Sequence, residues 1–189
     1  MSTFPSILEN ILTSKDKHVT HHDYLIALSM IIMKENGYDI QKAHNRGDFA
    51  ELDPSQWIID GAYQIKFKHL NTPELNCILD AILVGDVMIL NLTSEDESIK
   101  TRSLAVETLE YINVYASNFD CRFMNLKKFT CKFRNLLTTP IRDEVLNKLG
   151  VMNPSLLGLP NELKLKIISF LPAKDQRNLR RCCKTFYNL

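Results

Sequence analysis

The chain has 189 residues, 45% of them hydrophobic and 24% charged, with a formal net charge of +1. That suits one ordinary globular domain with a small appendage. It gives no membrane span, since the longest apolar run, Tyr24 to Met33, is about ten residues and contains Ser29, against the roughly 18 a span requires. The opening Met1-Ser2-Thr3-Phe4-Pro5 lacks a basic region leading into an apolar core, so no secretory signal is expected. Five cysteines without a C-x-x-C pair suggest neither a disulfide framework nor a cysteine zinc site. The expected setting is the cytosol, the nucleus or both. Charge is divided along the chain. Residues 1–120 hold 9 Lys/Arg against 18 Asp/Glu, whereas residues 121–150 and 151–189 each hold 7 against 2. A basic end invites an acidic partner, protein or nucleic acid, although a solvated helix face is the plainer account.

Ser6 to Leu12 can form a short helix around Ile7, Leu8 and Ile11. Thr20 or Asp23 then caps a stronger helix through Leu25, Ile26, Leu28 and Met30 to Met33. It is apolar on most sides and should be deeply buried. Lys34 falls in its last turn, and Gly37 is placed to stop it. Tyr38 to Lys42 reads as a short strand. Ala43 to Asp60, with Pro54 and the lone Trp57, reads as irregular.

The period then changes. Tyr63, Ile65 and Phe67 alternate with Gln64, Lys66 and Lys68, which describes a half-buried strand. Cys77 to Val84 and Val87 to Leu92 are two further apolar runs joined by Gly85-Asp86, a two-residue loop suited to a hairpin. After the acidic loop Ser94-Glu95-Asp96-Glu97, Thr101 to Val106 reads as another strand. Strands joined by short loops imply an antiparallel meander. Helical spacing returns at Leu126, Phe129, Phe133, Leu136 and Leu137. Pro140 is expected to interrupt, leaving a short helix from Ile141 to Leu149 that ends at Gly150. The fold class is therefore α+β: an antiparallel sheet flanked by helices over residues 1–150, a linker over 151–158, and a small all-α segment over 159–189.

In that last segment, Pro160 suits the first turn of a helix. Leu163, Ile167, Phe170 and Leu171 share one face, and Pro172 starts a new segment. Leu179, Cys182, Cys183, Phe186 and Tyr187 share a face of a second helix. About thirty residues in two amphipathic helices cannot bury both faces alone, so the segment needs a partner. The pattern Leu159-Pro160-x-Glu162-Leu163, Ile167, Phe170-Leu171-Pro172, Asp175, Leu179, Cys182-Cys183-Lys184 and Phe186 resembles the F-box. The resemblance implies docking on the Skp-type adaptor of a Skp–cullin–F-box ubiquitin ligase, with Leu159, Pro160, Leu163, Ile167, Leu171, Pro172, Leu179 and Cys182 as the adaptor-binding positions. Gln176 departs from the Leu usual after the Asp. The pattern running only to Leu189 implies an F-box shortened at its C-terminal end.

The first 150 residues are similar to the FP domain shared by proteasome regulators and F-box-only proteins of the nutcracker type. The likeness rests on His22-Asp23-Tyr24-Leu25, Asn36-Gly37-Tyr38, Trp57, the run Ile82 to Leu92, and Thr138-Thr139-Pro140-Ile141. It implies an antiparallel sheet flanked by helices, and pairing with a second FP domain, its own or a proteasome regulator's. The whole then reads as a ligase adaptor subunit that recruits substrates. The alternative is a proteasome-regulating FP protein with a weak F-box and the proteasome as partner.

No catalytic constellation appears, so the chain is not expected to be an enzyme and needs no cofactor. His18, His21 and His22 lack partners at ligand spacing and read as capping or surface residues, without metal. The aromatics of the basic helix, Phe129 and Phe133, lie on its apolar stripe, so core packing is preferred to nucleic-acid binding. Cys182-Cys183 lies beside Arg180, Arg181 and Lys184, which would favour a thiolate; packing against a partner is the plainer account.

Overall fold

The structure, a computed structural model, describes residues 19–41, 57–116, 118, 120–151, 156, 158–182 and 184–188. The expected helix from Ser6 to Leu12 and most of the stretch from Ala43 lie outside them. The chain divides into two compact units, Met1–Arg142 and Asp143–Leu189.

The first unit opens with α1, His21–Glu35. Thr20 is its N-cap in a capping box: the Asp23 amide donates to the Thr20 hydroxyl, and the Thr20 amide donates to the Asp23 carboxylate at 2.7 Å. Every side chain from Asp23 to Met33 is buried, as the unbroken apolar sequence predicts. Ser29, in the middle of that run, donates to the Leu25 carbonyl at 2.9 Å, so its hydroxyl is satisfied within the helix.

Among the described residues six antiparallel strands follow: β1 Tyr38–Ile40, β2 Ile58–Ile59, β3 Ala62–His69, β4 Cys77–Val84, β5 Val87–Ser94 and β6 Arg102–Glu107. Their order is β1-β3-β4-β5-β6, with β2 also pairing β3. The meander predicted from alternation is therefore present. One segment differs from expectation: Ile58-Ile59 is a strand and not irregular chain. Asp60 and Gly61, at φ 51° and 83°, close it onto Ala62 and Tyr63 as a two-residue hairpin. An Asp-Gly pair accepts positive φ at both positions, which is what such a turn requires. Gly85, at φ 61°, supplies the same freedom in the β4–β5 turn, where Val84 pairs with Val87.

The sheet has two unlike faces. Tyr63, Ile65 and Phe67 are buried beside Ala81, Leu79 and Cys77, and that face continues through Leu90, Leu92, Leu104 and Val106. Tyr63 donates to Asp23 at 2.9 Å, tying α1 to this face. On the open face Gln64 donates to Asp80 and Ser103 to Asn91. Nearer the Gly85 turn the open face is apolar: Ile82 pairs with Ile89 and Val84 with Val87, while Ala105 lies opposite Ile89.

After β6, α2 spans Leu126–Phe133, and a π turn over Arg134–Thr138 leads into α3, Thr139–Lys148. Pro140 thus does not interrupt the helix, contrary to expectation. A proline in a helix lacks an amide and crowds the carbonyl four residues back, here that of Leu136. The wider π turn immediately upstream accommodates both effects. Phe129, Phe133 and Leu137 are fully buried, and the π turn packs against β5 and β6.

Candidate protein interface

Among the described residues the second unit contains the end of α3 and the helical segments α4 Asn161–Ser169, α5 Ala173–Cys182 and α6 Lys184–Tyr187. α3 ends with the Gly150 amide on the Asn147 carbonyl and the Val151 amide on the Leu146 carbonyl, the paired bonds of a Schellman motif. Pro160 is the N-cap of α4 and not a first-turn residue; its carbonyl accepts from the amides of Leu163 and Lys164, both at 3.1 Å. Glu162 falls in the first turn, where the helix dipole favours an acid. α4 closes with the Phe170 and Leu171 amides on the Ile167 and Ile168 carbonyls. Pro172 immediately precedes α5, and its carbonyl accepts from the amides of Asp175 and Gln176.

The expected second helix is present on both sides of Cys183, which lies outside the described residues. α5 ends at Cys182 and α6 begins at Lys184. Gln176, which stands where the F-box pattern favours Leu, donates through its side chain to the Leu171 carbonyl at 2.9 Å. Here the polar residue satisfies a carbonyl in the turn between the helices.

α4 presents apolar side chains outward. Leu163, Ile167 and Phe170 follow an i, i+4, i+7 spacing on one face, and their exposures are 47%, 37% and 76%. Ile168 and Lys164 are buried instead, one position along. Leu165 is a further exposed apolar residue, at 48%, outside the F-box spacing. Of the other positions singled out by sequence, Pro160, Pro172 and Cys182 are exposed, and Leu159, Leu171 and Leu179 are half-buried. Leu179 and Cys182 are three residues apart on α5 and share a face. The Cys182 thiol donates to the Asn178 carbonyl within the helix. The sequence-based set omitted Phe170 and Leu165; an apolar residue on a short helix that cannot bury all its faces is the signal that would have included them.

Among the described residues no group of histidines, cysteines and carboxylates is placed to hold a metal, and no helix is long and apolar enough to cross a membrane. The His21 and His22 ring centroids lie 3.9 Å apart with the rings tilted by 40°; His21 lies 3.6 Å from Asp86, and His22 Nδ1 lies 3.2 Å from the Thr108 hydroxyl. His18 lies outside the described residues.

Residues 156–189 match the F-box domain, and α4, α5 and α6 fall within that stretch. It is similar to F-box only protein 7 of Homo sapiens, 25% identical over 190 aligned residues covering 97% of this chain and 35% of the relative. Protein nutcracker of Drosophila melanogaster is 31% identical over 110 residues, covering 56% of this chain and 35% of the relative. F-box only protein 7 of Bos taurus is 25% identical over 169 residues, 86% of this chain and 31% of the relative. The chain thus spans about a third of the length of these relatives.

Proposed function

We propose that this chain is a non-catalytic adaptor whose F-box docks on the Skp-type subunit of a Skp–cullin–F-box ubiquitin ligase. The observation that carries this is the outward stripe of Leu163, Ile167 and Phe170 within a matched F-box. Three large apolar side chains in water at one helix face favour a partner by the area they would lose, about 25 cal/mol per Å² buried. Leu159, Pro160, Leu171, Pro172, Leu179 and Cys182 are the further adaptor-facing positions. Docking is measured by co-purifying the full chain with a Skp-type adaptor, expected to yield a stoichiometric complex that Leu163→Asp weakens at least tenfold, since a buried unpaired carboxylate costs several kcal/mol. No complex with the unaltered chain, or no change on Leu163→Asp, would sink the ligase role.

The first unit contributes the second half of the function. It is an FP-like domain that pairs with another FP domain, of a second copy or of a proteasome regulator. The apolar end of the open sheet face, with Ile82 and Val84 exposed, supports that pairing. Since this face lies outside the F-box, it also favours a proteasome-directed regulator in which the F-box is secondary. Proteasome activity assayed with Leu163→Asp full chain separates the two: an effect that survives the substitution belongs to the first unit.

A further inference from the structure

α5 carries a feature that the apolar stripe of α4 does not use. Lys174, Arg177 and Arg181 follow an i, i+3, i+7 spacing and therefore lie along one side of the helix. All three are exposed, as is Arg180 beside them. Leu179 and Gln176, the half-buried residues of α5, lie on other sides, and Asp175, its single acid, is off the stripe. Among the described residues none of the four cations pairs with a carboxylate.

Helix stability does not account for this arrangement. Arg180 and Arg181 sit in the last turn, where the dipole favours cations. Lys174 is at the second helical position, where it disfavours them. Lys174 with Arg177, and Arg177 with Arg180 and Arg181, are like charges three and four residues apart, which repel. The stripe begins four residues after Phe170, within about 14 Å of chain. A protein covering the stripe of α4 therefore brings its own charges within roughly one or two Debye lengths of these cations. No aromatic residue lies among them to stack a base, so a carboxylate-rich protein surface fits better than a nucleic acid.

We propose that Lys174, Arg177, Arg180 and Arg181 form an electrostatic docking surface for an acidic strip on the adaptor that takes the apolar face of α4. The stripe speeds encounter, while the apolar contacts set the lifetime of the complex. This rests on the adaptor function proposed above.

The test compares association and dissociation rates of full-length chain with a Skp-type adaptor at about 50 and 500 mM salt. The chains are wild type, K174Q/R177Q/R181Q and Leu163→Asp, with helicity checked by circular dichroism. The triple variant is expected to associate about tenfold more slowly at low salt, to match wild type at high salt, and to dissociate normally. Leu163→Asp is expected to dissociate faster at both salts. Binding by the triple variant with a wild-type salt slope overturns the stripe and leaves the adaptor function standing. No binding by any chain overturns the adaptor function and this inference with it. Two controls run on the same proteins: loss of single-stranded nucleic-acid binding, or loss of low-salt self-association by light scattering, in a triple variant with unchanged adaptor kinetics assigns the stripe to that other occupant and overturns the proposal.

Discussion

Asp23 closes the α1 capping box and accepts a hydrogen bond from Tyr63 of the sheet, so one carboxylate joins the start of a helix to its support. Its neighbour His22 couples the same region to pH. Burial holds the His22 pKa below the ordinary histidine value, the adjacent His21 ring lowers it further, and Asp23 and Asp86 oppose both without reversing them. His69 is lowered as well, by burial first and then by Arg142. A histidine with a depressed folded-state pKa binds protons more readily when unfolded. Stability from these residues is therefore present above about pH 6.5 and is lost as pH falls through the lower folded value. Urea midpoints should drop between pH 7.5 and pH 5, and a His22→Gln, His69→Gln chain should show a shallower drop; parallel profiles would contradict this. No sequence pattern could show these shifts, because both depend on what the rings are packed against.

At the scale of elements, the legible parts were those in which one face is uniformly covered. Tyr63, Ile65 and Phe67 alternate with exposed Gln64, Lys66 and Lys68, so period and burial agree. Ile58-Ile59 escaped because two residues carry no period; Asp60-Gly61 was the available signal. Pro140 misled because its cost depends on the turn before it, and a π turn absorbs a proline that an α turn would not. Phe133 stands immediately before that turn, fully buried, 5.8 Å from the Phe129 ring. Phe133→Ala should cost about 3–5 kcal/mol in denaturant unfolding. Lys127→Ala, on the exposed side of α2, should cost less than about 0.5 kcal/mol. In the F-box, spacing shows that Leu163 and Ile167 share a face, but not whether anything covers it. The bond from Gln176 to Leu171 depends on the turn geometry, which spacing does not encode.

At the scale of the whole molecule, two surfaces on two units are each suited to a different partner: the open sheet face of the first and the α4 stripe of the second. If the sheet face pairs FP-like domains, Ile82→Asp should convert a dimer to a monomer in light scattering while leaving the unfolding midpoint within about 0.5 kcal/mol of wild type, since Ile82 is already exposed. A dimer that persists would remove this face from the pairing. The burial of α1 from Asp23 to Met33 has a different consequence. No local fraying exposes the middle of that helix, so its amide protons should trade with deuterium only when the unit unfolds entirely. Leu25 to Met33 would then be the slowest-exchanging amides of the unit. Their rates would report its global unfolding free energy directly, even in complexes too large or too stable for a denaturant titration.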